Sequence, residues 1–114
     1  MKETEKKEKG EMLDSNEHFF FVVNLTNENL RGQVIWSNSE NTSALDVNGL
    51  SPGTASLLQK FFPASWKTDY WEWTERGRKY QLDCYGGDIY VVVVISYYGI
   101  NVLPTATSPD TWRW

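Results

Sequence analysis

The stretch Thr68-Asp69-Tyr70-Trp71-Glu72-Trp73-Thr74-Glu75-Arg76-Gly77-Arg78-Lys79-Tyr80-Gln81-Leu82-Asp83-Cys84-Tyr85 decides the fold. Its first half alternates residue by residue. Asp69, Trp71 and Trp73 share one face, and Tyr70, Glu72 and Thr74 share the other, which is the spacing of a strand. Glu75 to Arg78 is a polar loop with Gly77 at the bend. The second half returns as a partner strand with Tyr80, Leu82 and Cys84 facing inward. A hairpin with one apolar and one polar face is a unit of an all-β protein that buries one side and wets the other.

The same grammar runs outward in both directions. Downstream, Gly86-Gly87-Asp88 is a turn, and Ile89 to Tyr98 (Ile-Tyr-Val-Val-Val-Val-Ile-Ser-Tyr-Tyr) is apolar on both faces, the mark of a central strand covered on both sides. Ile100 to Leu103 adds one more strand. Upstream, His18 to Leu25 is an apolar run that ends in the turn-forming segment Asn24-Leu25-Thr26-Asn27-Glu28-Asn29. Arg31 to Ser37 alternates, with Val34 and Trp36 on one face. Ala44 to Asn48 is a short strand carrying Leu45 and Val47. Thr54 to Phe62 has two readings. Ala55, Leu58, Phe61 and Phe62 would line a helix, and Ala55, Leu57 and Phe61 would line a strand. Its neighbours are strands and the turn Ser51-Pro52-Gly53 leads into it, so a strand is expected. The sum is an all-β chain: a single antiparallel β-sandwich of about seven or eight short strands. Residues 18–114 form that domain. Residues 1–17, dominated by Lys and Glu, form a disordered charged tail.

Charge and residue usage narrow the function. Of the net −4, the tail carries −2, from four lysines against six acidic residues. No basic surplus is left to neutralise phosphates, so nucleic acid is not an expected partner. There is one cysteine, Cys84, which reads as a small buried hydrophobe, and one histidine, His18. Neither a His-dependent nucleophile nor a zinc site is expected from that inventory, and no cofactor is implied. Asp69, Glu72, Asp83 and Asp88 are the candidate acids for a carboxylate-based glycoside hydrolase, an alternative weakened because Asp69 and Glu72 fall on opposite faces of one strand. No apolar leader precedes the folded part, and no run of about 18 apolar residues spans a membrane. The expectation is a cytoplasmic protein, or one released or peripheral to membranes. Asn24-Leu25-Thr26 and Asn41-Thr42-Ser43 match the glycosylation acceptor pattern and, without a leader, read as chance matches.

Six tryptophans and six tyrosines exceed what one small core holds. With Trp36, Trp71 and Trp73 inside, the surplus reads as a binding surface, since aromatic faces stack on sugars and seat among lipid headgroups. The candidate ligand-binding residues are Trp66, Tyr70, Glu72, Trp112 and Trp114. The expected function is a non-enzymatic binding protein that recognises membrane lipid headgroups or glycans. A second class stays open: an Ig-like interaction or assembly module, homo-oligomeric through the Val91–Ile95 strand.

Phe20-Phe21-Val22-Val23-Asn24-Leu25-Thr26-Asn27, then Leu30 and Val34-Ile35-Trp36, resembles the first hairpin of aegerolysins and of the actinoporin-like proteins and fungal lectins that share a sandwich plan. Leu50-Ser51-Pro52-Gly53 is similar to their turn into a later strand. The likeness covers about a third of the chain, which lacks the mid-chain Gly-rich segment of aegerolysins. Bacterial Ig-like domains resemble it through the same Asn-Leu-Thr opening and Leu-x-Pro-Gly turn. The aegerolysin resemblance implies a small acidic β-sandwich that binds membrane lipids without catalysis, and it carries over no individual site residue.

Overall fold

The computed structural model describes residues 17–64, 67–82 and 90–105. They contain eight strands and no helix: β1 (His18–Asn24), β2 (Gln33–Ser37), β3 (Thr42–Asp46), β4 (Gln59–Phe61), β5 (Tyr70–Trp73), β6 (Arg78–Gln81), β7 (Tyr90–Ser96) and β8 (Gly99–Thr105). Two four-stranded sheets result, ordered β4-β1-β7-β8 and β3-β2-β5-β6. The second sheet is antiparallel throughout. The first is mixed, because β1 and β7 run parallel, Phe19 opposite Tyr90 through Asn24 opposite Ile95. A parallel pair needs a long crossover, and here the crossover holds all four strands of the second sheet together with β4. The charged segment 1–16 lies outside the described residues.

The inner faces follow the alternation in the sequence. Val34, Trp36, Trp71 and Trp73 from one sheet meet Phe20, Val22, Phe61, Val91, Val93, Ile95 and Val102 from the other. The centre is a knot of aromatic rings in edge-to-face contact, Phe20 on Trp71, Trp36 on Phe61 and Phe61 on Trp71, each with centroids 5.2 Å apart. Such packing adds about 0.5–1.5 kcal/mol per pair beyond area burial. The Trp36 indole Nε1–H donates 2.8 Å to Asp69 Oδ1, and both residues are fully buried. This is why Asp69 can share the inward face with two tryptophans. The Trp71 Nε1–H, equally buried, has no hydrogen-bond partner.

β7 is central, hydrogen-bonded on one side to β1 and on the other to β8. Val91, Val93 and Ile95 enter the core. Val92 points the other way and clusters with Phe21 and Val23 of β1, with Val94 beside them. β7 therefore has no free edge along which a second copy could pair.

Segment 54–62 departs from expectation in detail. Gln59–Phe61 is a strand, and Ala55 forms an isolated bridge with Val23. Phe61 is inward as the alternation required, but Ala55 is exposed and Leu57 is 86% exposed. The reason lies at Ser56. Its backbone N–H donates 2.8 Å to the Val22 carbonyl, and its hydroxyl oxygen accepts the Val22 N–H at 2.9 Å. A side chain thus replaces a ladder carbonyl, regular pairing lapses, and Leu57 and Leu58 swing outward. Val47, expected within the third strand, follows β3 and is buried from the loop.

Candidate functional site

At one end of the sandwich converge the loop after β1, the four-residue hairpin loop between β5 and β6 and the two-residue turn between β7 and β8. They enclose a cleft of about 340 Å³ lined by Thr26, Glu28, Asn29, Leu30, Arg31, Trp73, Glu75, Arg76, Ser96 and Tyr97.

Asn24 builds the first wall. It is fully buried at the end of β1, and its amide nitrogen donates to the carbonyls of Glu28 (2.8 Å) and Leu50 (2.9 Å). Its Oδ1 accepts the Thr26 N–H at 2.8 Å and the Thr26 hydroxyl at 2.7 Å. One side chain therefore fixes the Thr26–Glu28 bend and ties it to the turn at Leu50. With both amide hydrogens engaged inside the protein, Asn24 has none to give to a glycan, which agrees with reading its acceptor pattern as chance.

The floor is Leu30 and the edge of Trp73. Leu30 is buried and held by the Leu50 carbonyl at 3.0 Å, and the Trp73 Nε1–H donates 2.8 Å to the Arg31 carbonyl. Gly32 follows with φ +83°, and a Cβ there would overlap Thr74 Oγ1, which accepts the Gln33 N–H at 2.9 Å. Only glycine lets the two loops close this tightly. In the second wall Arg76 lies 5.8 Å over the Trp73 ring and donates 3.2 Å to the Tyr97 carbonyl. Tyr97 reaches back, its hydroxyl oxygen accepting the Asn27 N–H at 2.9 Å. The wall is clamped by a cation–π contact and two interloop hydrogen bonds.

Two acidic residues, Glu28 and Glu75, and two arginines, Arg31 and Arg76, line the cleft. Among the described residues none of the four forms an ion pair, so the cleft offers acceptors and donors of both signs with no net charge. Leu25 and Tyr98 flank the lining residues Thr26 and Tyr97 in the chain, and Leu25, Tyr97 and Tyr98 are all exposed, Tyr98 to 95%. The loop after β1 is tied to the end of β7 here, the Leu25 N–H donating 2.8 Å to the Ile95 carbonyl, two residues before Tyr97.

Of the residues singled out in the sequence, Tyr70 and Glu72 are placed on the outer face of β5, as alternation required. Tyr70 is exposed between Ser37 of β2 and Gln81 of β6, and Glu72 is half-buried between Ile35 and Lys79. They belong to the flat outer face and not to the cleft. Trp66, Trp112 and Trp114 lie outside the described residues, as do Asp83, Cys84 and Asp88. Asp69 and Glu72 occupy opposite faces of their sheet, and Asp69 is turned into the core, so they do not converge on one substrate. Among the described residues no group of three His, Cys, Asp or Glu side chains is arranged to hold a metal ion.

The cleft was missed in the sequence because its charges come from separate loops. The signal that could have found it is the exposed Tyr97-Tyr98 pair at a hairpin tip. Compared with known proteins, the chain matches no family model, no curated protein and no solved structure. What defines it is its own architecture: an all-β two-sheet sandwich with a polar-lined cleft at a loop end.

Proposed function

We propose that this protein is a non-enzymatic binding module that takes a polar lipid headgroup in the loop-end cleft at a membrane surface. The observation that carries the reading is that the same loops that line the cleft carry the exposed Leu25, Tyr97 and Tyr98. A headgroup presents donors and acceptors, which Glu28, Glu75, Arg31 and Arg76 can meet. The rim then lies against the interfacial region of the bilayer, where tyrosine rings are at home. The clamped walls keep the site pre-formed, which lowers the ordering cost of binding. The neutral charge balance of this end favours lipids of no net charge over strongly anionic ones. The resemblance of Phe20–Trp36 to the opening of aegerolysins is one of sequence pattern alone, since β1 and β2 lie in different sheets and form no hairpin.

Co-sedimentation with liposomes of varied headgroup, including sphingolipid and sterol, tests it. Pelleting that depends on headgroup and is lost in Tyr97→Ser/Tyr98→Ser supports the reading. No pelleting with any composition overturns it.

A second reading, glycan recognition, is favoured by a different observation. Thr42, Ser37, Tyr70 and Gln81 form one register row across the outer face of the second sheet, a flat polar strip with one exposed aromatic ring. Binding of soluble oligosaccharides that is abolished by Tyr70→Ala and untouched by Tyr97→Ser/Tyr98→Ser would select it.

A further inference from the structure

The turn Val47-Asn48-Gly49-Leu50 contains the one Asn-Gly pair of the chain. Asparagine before glycine is the pairing most open to attack by its own backbone. The following amide nitrogen can close a cyclic imide on the side-chain carbonyl carbon, and glycine has no Cβ to obstruct it. Both residues are exposed, Gly49 takes φ +82°, and the space where its Cβ would stand is open.

The fold holds the two reacting groups on different partners. The Gly49 N–H, whose nitrogen is the nucleophile, donates 2.9 Å to the Leu30 carbonyl. The Asn48 side chain, whose Cγ is the electrophile, is held through Oδ1, which accepts the Gly32 N–H at 2.8 Å. Two more bonds complete a clasp: the Leu30 N–H donates to the Leu50 carbonyl and the Val47 N–H to the Gly32 carbonyl, each at 3.0 Å. Asp46 Oδ1 accepts the Asn48 N–H at 2.9 Å and pins the turn from before. Ring closure requires the Gly49 nitrogen to give up its proton to a base and turn onto Cγ. A carbonyl oxygen is no such base, so the Gly49–Leu30 bond has to open first. The clasp also carries the cleft, because Leu30 and Arg31 line it.

We propose that Asn48 is a latent deamidation site, shut while residues 47–50 are clasped to residues 30–32, and that its conversion to isoaspartate unties the cleft floor. In the opened turn the Gly49 nitrogen loses its proton to solvent base and bonds to Asn48 Cγ. The Cγ–Nδ2 bond breaks, and Nδ2 leaves as ammonia. Water then opens the cyclic imide at either carbonyl, with no change in oxidation state. Opening at the main-chain carbonyl leaves isoaspartate, whose backbone runs through the side-chain methylene and is one carbon longer. The added carbon shifts residues 47–50 against residues 30–32, so the four clasp bonds cannot all re-form. Opening at Cγ leaves ordinary aspartate, which keeps an oxygen for the Gly32 N–H. The proposal goes beyond the headgroup reading and does not rest on it, since its readouts are covalent and structural.

The test ages the full chain at mildly alkaline pH, folded and in urea, and locates isoaspartate by peptide mass mapping with an isoaspartyl methylation assay. Position 48 is expected to lead all asparagines in both samples. It should convert at least about tenfold more slowly in the folded chain, because reaction waits on local opening. Asp46→Ala releases the turn from before without altering a cleft-lining residue, and is expected to speed the folded-state reaction several-fold. In the isoaspartate fraction the amide signals of Leu30, Arg31 and Gly32 should shift, whereas Asn48→Asp should leave them near their original positions. Four results overturn the proposal: equal rates in the folded and urea samples, a different asparagine leading in the folded chain, no conversion at position 48 of the folded chain after many half-lives of the urea reaction, or unshifted Leu30, Arg31 and Gly32 signals in the isoaspartate fraction.

Discussion

The two outer faces of this sandwich are opposites. On the β3-β2-β5-β6 sheet the outward residues include Thr42, Ala44, Asp46, Gln33, Ile35, Ser37, Tyr70, Glu72 and Gln81, a surface fit for water. On the two central strands of the β4-β1-β7-β8 sheet they are Phe19, Phe21, Val23, Tyr90, Val92 and Val94, with three of the six nearly closed to solvent, while the edge strands add the exposed Lys60, Asn101 and Leu103. The inner faces are alike and share one core. The difference teaches that one sheet of this protein is a two-sided element and the other a one-sided element. The distinction is written in the chain as the contrast between unbroken Phe19-Phe20-Phe21-Val22-Val23 and alternating Gln33-Val34-Ile35-Trp36-Ser37.

The largest effect should come from matched aromatic truncations on the two outer faces. Phe21→Ala is expected to cost about 3 kcal/mol or more by chemical denaturation, as for a buried phenylalanine. Tyr70→Ala on the opposite face should stay within about 1 kcal/mol. Equal costs would break the comparison. Next is the pair Trp36 and Trp71, register neighbours on the shared inner face. Trp36→Phe removes the indole hydrogen bond to buried Asp69 and should cost about 2 kcal/mol beyond its lost contacts. Trp71→Phe removes an N–H that has no partner and should cost clearly less. Gly32→Ala ranks third. It should cost about 1–2 kcal/mol for a left-handed backbone, and more for the clash with Thr74, read as a lower thermal midpoint. The smallest stability effect is expected at the cleft mouth. Arg31→Ala and Tyr98→Ala should leave the midpoint within about 0.5 kcal/mol while weakening liposome binding, which separates the binding end from the scaffold.

What the sequence disclosed follows from the same contrast. Alternation placed Trp71 and Trp73 inward with Tyr70 and Glu72 outward, and the doubly apolar Val91–Ile95 run marked a central strand. Both readings rest on local periodicity, which the pleat enforces. Three features were out of reach. The parallel β1–β7 pairing depends on how distant strands meet, and no local pattern encodes it. The outward turn of Leu57 hangs on one hydroxyl, Ser56, standing in for a backbone carbonyl. The cleft depends on Asn24 and Gly32 drawing separate loops together, so Glu28, Arg31, Glu75 and Arg76 become neighbours only in three dimensions. Of the sequence candidates for ligand contact, Tyr70 and Glu72 mark the polar face and not the cleft.

The most direct test of the account is a residue-by-residue map of amide shift changes when the protein is titrated with bicelles of the lipid that best pellets it. The account predicts changes centred on Leu25, Asn27, Arg76, Tyr97 and Tyr98, with Ser37, Tyr70 and Glu72 silent. Changes centred on Tyr70 and Glu72, or no changes at saturating lipid, would contradict it.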